Sequence, residues 1–131
     1  MGSAAWSNAG GGVAPVGALA PGAAQARPVE RPGDVAVQTD PGLLRIRLTG
    51  AVDAVLAPRL DGVVAAVLAA QPADVRLDLA DVDFLGSHGM AFLVRVQHAT
   101  QAAGRAAEID AVSRHARIAL RVAGLEHYLQ S

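Results

Sequence analysis

The chain has 131 residues, a net charge of −1 and no cysteine. That length sets one domain as the expectation, and the missing thiols exclude disulfides and thiolate metal centres. The near-neutral charge gives no general attraction to nucleic acid or to an anionic membrane. With only Trp6, Phe84, Phe92 and Tyr128 as aromatics, a base-stacking surface for single strands is not expected either. The apolar run from Val63 to Ala70 falls far short of the roughly 20 residues a bilayer needs, and no charged-then-apolar leader opens the chain. A soluble, cytoplasmic protein is the expectation.

Residues 1–33 are rich in Gly, Ala and Pro, without a sustained period and with few large apolar groups. They are read as a disordered tail, ahead of a domain over 34–131. Val35 and Val37 alternate with Ala36 and Gln38 as a short first strand. Asp40-Pro41-Gly42 is a turn signature. Leu44, Ile46 and Leu48 then alternate with Arg45, Arg47 and Thr49, which predicts a second strand and so a hairpin. Gly50-Ala51-Val52-Asp53 is expected to break that strand, with Asp53 or a neighbour capping the next helix and Pro58 in its first turn. Leu60, Val63, Val64, Val67 and Leu68 recur at helical spacing, and Gln71-Pro72 ends the helix.

Val75, Leu77 and Leu79 alternate with Arg76 and Asp78 as a third strand. An acidic turn is expected to follow, delivering Ser87 as the N-cap of a second helix and His88 to its first turn. In that helix Phe92, Val96, Ala99 and Ala103 form one stripe and Met90, Leu93, Val94 and Gln97 another; one faces the sheet, the other a neighbouring helix or a partner. Gly104 closes it. Ala107 to Val112 reads as a fourth strand, parallel to the third across a right-handed crossover. Ser113 caps a third helix closed by Gly124, and Leu125–Leu129 forms a terminal strand or turn. The fold class is α/β: a mixed four- to five-stranded sheet packed with about three to four helices.

Catalytic constellations are weak. His88, His98, His115 and His127 lack the i, i+4 spacing of a zinc site, and no phosphate-binding glycine loop or nucleophile elbow is present. Ser87 and His88 are adjacent on a helix and point in different directions. Asp78, Asp81 and Asp83 are read as solvated acids at a strand end rather than a cation cage. The expectation is a non-enzymatic protein with no cofactor and no metal.

Three segments resemble one family. Gly50-Ala51-Val52-Asp53-Ala54-Val55-Leu56-Ala57-Pro58-Arg59-Leu60 resembles the "G-E-L-D…A-P-x-L" approach to the first helix of STAS domains, the anti-sigma-factor antagonists. Asp83-Phe84-Leu85-Gly86-Ser87-His88-Gly89-Met90 resembles their "F-x-D-S-S-G-L" signature, and Gly124-Leu125-Glu126-His127-Tyr128-Leu129 the closing "G-L-D" segment. The resemblance implies a partner, an anti-sigma factor with a serine-kinase fold, whose capture frees a sigma factor to direct transcription. It also implies a switch, in which that kinase phosphorylates the Ser before the signature Gly. Here Gly86 stands at the Asp position and His88 at the acceptor position, leaving Ser87 as the remaining hydroxyl.

The expectation is therefore an antagonist without the usual switch. Ser87 is the alternative phosphorylation site, and phosphohistidine the least favoured outcome. The expected partner surface combines Gly86, Ser87, His88 and Gly89 with Asp53 and Arg59, and Met90 and Phe92 add apolar contact. The alternative function is a STAS interaction module of a transporter, lipid-trafficking or stress-signalling complex. Direct nucleic-acid and membrane binding are not expected, and the chain is expected to be a monomer or weak dimer.

Overall fold

The computed structural model describes residues 31–130, with side chains described to Tyr128. The tail expected over 1–33 lies almost wholly outside the described residues. Strand β1 (Asp34–Asp40) turns through Pro41 and Gly42 into β2 (Leu43–Val52), pairing antiparallel with Val37 opposite Ile46. A short 3₁₀ turn (Ala54–Leu56) leads into α1 (Ala57–Ala70). Strand β3 (Asp74–Leu85) lies parallel to β2, and α2 (Ser87–Ala102) returns the chain to β4 (Ala107–Val112), parallel to β3. Helix α3 (Arg114–Val122) and a 3₁₀ turn (Glu126–Gln130) complete the order. The sheet is β1-β2-β3-β4, a mixed α/β architecture with four strands and three α-helices among the described residues.

The period-two pattern decides which face is covered. Leu44, Ile46, Leu48, Val75, Leu77 and Leu79 are buried under the helices with Leu60, Val64, Val67, Phe92, Leu93 and Val96. Arg45, Arg47 and Arg76 project from the other face, where Arg47 meets Asp81 at 2.8 Å and Arg76 pairs with Asp110. Two parallel crossovers of the same hand place α1 and α2 on one side of the sheet. Helix α1 buries Leu60, Val63, Val64 and Val67, whereas Leu68, expected on the same stripe, is 57% exposed.

Three sequence expectations are corrected. Gly50 does not break β2: it takes φ +71° inside the strand, which continues to Val52. The acidic turn before α2 does not exist, because β3 runs through Asp81, Val82 and Asp83 to Leu85. Two register shifts against β2, one between Arg47 and Thr49 and one between Gly50 and Ala51, carry the extra β3 residues as bulges. The third concerns Asp81 and Asp83, which are ion-paired rather than simply solvated. Arg31 Nε lies 2.9 Å from Asp83 Oδ2 and Arg47 Nη2 2.8 Å from Asp81 Oδ2.

Candidate functional site at the junction of β3 and α2

Strands β2 and β3 end together, with Val52 opposite Leu85. The amide of Gly86 donates to the Val52 carbonyl at 3.0 Å, so the start of α2 is tied to the end of β2. From that shared end β2 turns away through Asp53, whose Oδ1 accepts from the Val55 amide at 3.1 Å while its carbonyl accepts from Leu56. Leu56 is buried as a result, and Val55 is thrown outward to 88% exposure. Asp53 thus caps the 3₁₀ turn, as an Asx side chain is suited to do.

Helix α2 begins at Ser87, and its N-cap is Gly86, not Ser87. The Gly86 carbonyl accepts from the Met90 amide at 3.0 Å, closing the first turn. No side chain caps that turn and no acid lies in it. Its leading amides are therefore left to solvent or to a partner, with the positive end of the helix dipole behind them. Ser87 and His88 are both exposed. Phe84, on the neighbouring strand end, is 42% exposed, and its ring would lie 2.8 Å from a Cβ placed on Gly86.

The expected partner residues divide on this geometry. Asp53, Gly86, Ser87 and His88 come together around the junction with at least partial exposure. Gly89 is buried: a Cβ there would stand 2.4 Å from Leu85 Cδ1 and 2.9 Å from Val52 Cγ1. It is glycine because β3 and β2 lie against it, not because a partner must approach. Phe92 is 1% exposed in the core, which corrects its expected contact with a partner. Met90 is half-buried against the same core. Arg59 is already engaged, its Nη1 2.6 Å from Asp34 Oδ1 and its Nη2 3.0 Å from the Val35 carbonyl. It braces α1 on β1.

Sequence reasoning missed Val55 and Phe84 as outward apolar groups. Val55 carried a usable signal, since an Asx-capped turn one residue after Asp53 throws it outward. Phe84 did not, because its exposure follows from the bulges in β3.

The junction is bordered by an ion-paired edge. The Asp83 carboxylate accepts from both the Arg31 guanidinium and the Arg31 amide. These contacts hold its pKa below the usual carboxylate range, with Arg31 the largest cause and burial opposing it. Elsewhere, a concavity of about 430 Å³ on the open sheet face is lined by Gln38, Arg45, Arg76, Asp78 and Asp110. Its Arg45 and Arg76 already face Asp40 and Asp110, so little positive charge remains there for an anion. Among the described residues, no three His, Asp or Glu side chains gather as metal ligands would.

Known proteins define the class. The chain belongs to the STAS family: residues 35–131 match the family model described as "Mlab, STAS domain". Its structure is similar to that of an anti-sigma factor antagonist from Mycobacterium paratuberculosis, with 25% identity and a TM-score of 0.65 over 76% of this chain and 84% of the other. It shares its fold with the anti-sigma factor antagonist SpoIIAA in the unphosphorylated form, at 17% identity and a TM-score of 0.64 over 73% of this chain and 85% of that one. The phosphorylated form of SpoIIAA, the Bacillus cell fate determinant, matches at 14% identity and a TM-score of 0.59 over 73% and 88%. No curated protein matches the chain. Among the described residues no helix is long and apolar enough to cross a membrane.

Proposed function

We propose that the chain is an anti-sigma-factor antagonist. It captures an anti-sigma factor with a serine-kinase fold, releasing a sigma factor to transcription, and it acts in the cytoplasm as a monomer or weak dimer. The observation that carries this reading is the uncapped, acid-free first turn of α2, with Ser87 and His88 exposed and Val55 and Phe84 beside it. Outward apolar groups next to unpaired helix amides supply both desolvation energy and directional donors to a docking partner. The similarity to a mycobacterial anti-sigma factor antagonist supports the choice of partner.

The docking set is Asp53, Val55, Phe84, Gly86, Ser87 and His88, with Arg59, Gly89 and Met90 shaping the frame behind it. Docking is constitutive in this reading. A phosphate on a first-turn residue adds about −1.5 to −2 charges, but His88 occupies the usual acceptor position and the cap position, Gly86, carries no carboxylate. Ser87 is the one hydroxyl in the turn.

Titration calorimetry with the cognate anti-sigma factor tests the surface. His88→Glu places a negative charge where the helix dipole favours it, so the fold is retained, while binding is expected to weaken at least tenfold. Val55→Asp is expected to do the same. An affinity indifferent to both overturns the surface. Incubation with the kinase and ATP is expected to leave Ser87 unmodified by mass spectrometry; stoichiometric phosphate on Ser87 overturns the switchless reading. Retrieval of a transporter ATPase instead of a kinase-fold anti-sigma factor overturns the function itself.

A further inference from the structure

Helix α3 starts where Ser113 Oγ accepts from the Ala116 amide at 3.1 Å and donates to the Val82 carbonyl at 2.7 Å. That double contact fixes which side of the helix faces the core: Ala116 and Leu120, one turn apart, are buried. The opposite side carries Arg114, Arg117, Ile118, Arg121 and Val122, neighbours at spacings of three and four. Val122 is 84% exposed and Ile118 50%. Val122 and the outer half of Ile118, stacked one turn apart toward solvent, gain nothing from the core.

The arginines beside them are unusual in this chain. Arg31, Arg45, Arg47, Arg59, Arg76, Arg95, Arg105 and Arg121 each lie within ion-pair distance of an Asp or Glu. Among the described residues, Arg114 and Arg117 have no such acid. The two arginines without an acid among the described residues thus flank the exposed aliphatic pair of α3, on one face of that helix.

We propose that this face of α3 is a second docking surface, and that its occupant is an acidic amphipathic segment of a partner protein. Carboxylates on the occupant meet Arg114 and Arg117, where a planar guanidinium gives bidentate contact, and aliphatic groups cover Ile118 and Val122. A second copy of the chain would bring the same positive face. Residues 1–30 hold one acid, Glu30, and one base, Arg27, too little to complement the face. A membrane would gain only two aliphatic side chains from a nine-residue helix, less than the acyl chain that by itself gives marginal anchoring. The surface uses none of the residues of the β3–α2 junction, so either can fail without the other.

The test titrates the ¹⁵N-labelled full chain with a synthetic 14-residue peptide bearing Glu and Leu at helical spacing. Saturating amide shifts confined to residues 114–122 are expected, weakening as salt screens the charges, with Ser87 and His88 unmoved. Arg114→Glu with Arg117→Glu is expected to lower peptide affinity at least tenfold at unchanged thermal midpoint, and the corresponding Lys pair to retain most of it. Absent saturation, shifts centred elsewhere, or indifference to charge reversal overturn the proposal. Three other results overturn the occupant: tighter sedimentation with phosphatidylglycerol vesicles than binding to peptide, concentration-dependent shifts at α3 without peptide, or nuclear Overhauser contacts between α3 and residues 1–30.

Discussion

Two glycines three residues apart at the head of α2 answer to different demands. At Gly89 the obstruction is internal, from Leu85 and Val52 in the packed core. Gly89→Ala is expected to cost about 1–3 kcal/mol, as overpacked cores do, read as a lowered denaturant midpoint at unchanged slope. At Gly86 the backbone is extended (φ −93°, ψ −169°), a conformation any residue adopts, and the nearest group is the half-exposed ring of Phe84. Gly86→Asp restores a carboxylate cap and a negative charge at the dipole's positive end. It is expected to raise stability by a few tenths of a kcal/mol by the same measurement. The motif spacing located both positions in the sequence. It did not say that Gly89 faces inward, because smallness at a site looks the same whether a partner or the protein's own strand presses on it.

At the scale of elements, caps and glycines bounded α2 and α3 and the crossover rule made the fourth strand parallel, while hydrophobic period placed the hairpin and α1. Strand β3 defeated it. Its buried positions run Val75, Leu77, Leu79, then Val82, then Leu85, so the inward parity changes twice, once at each bulge. A rule of two reads that stretch as a strand that stops at an acidic turn. The bulged segment is held by Arg31, whose guanidinium and amide both donate to Asp83 and whose carbonyl accepts from Ala51 at 2.9 Å. Because the pair depresses the folded-state pKa of Asp83, its stabilisation is present above the unfolded carboxylate value of about 3.9. It is lost as pH falls through the lower folded value. Arg31→Ala is therefore expected to lower stability at pH 7 and to have a vanishing effect as Asp83 becomes protonated in both states, measured by urea unfolding from pH 7 downward. The pair lies at the surface, with Arg31 57% and Asp83 25% exposed, so the effect at pH 7 is at most about 1 kcal/mol.

The whole molecule is closed by a residue far from the junction in sequence. Tyr128, in the terminal 3₁₀ turn, is buried, and its hydroxyl donates to the Leu93 carbonyl of α2. His127 lies beside it, with Nε2 3.1 Å from Gln97 Oε1 on the same helix. The closing segment thus clamps the helix whose first turn presents Ser87 and His88; the sequence marked it as the family's closing motif and as a strand or turn, without showing that Tyr128 is buried. Burial pushes the phenol's pKa up, since the anion has no compensating charge. The unfolded phenol ionises near pH 10 while the folded one stays protonated. The unfolded state then binds fewer protons, and stability falls as pH rises past 10. Tyr128→Phe is expected to lower stability at pH 7 by about 0.5–1.5 kcal/mol through the lost hydrogen bond, and to remove this tyrosine's share of the alkaline loss. Tyr128→Ala also empties a ring-sized volume and is expected to cost about 3–5 kcal/mol. Denaturation at pH 7 and above pH 10 separates the two effects. If the clamp sets the pose of α2, Tyr128→Ala also weakens partner binding when titrated under conditions that keep the chain folded, whereas Tyr128→Phe, which keeps the ring in place, leaves that affinity unchanged.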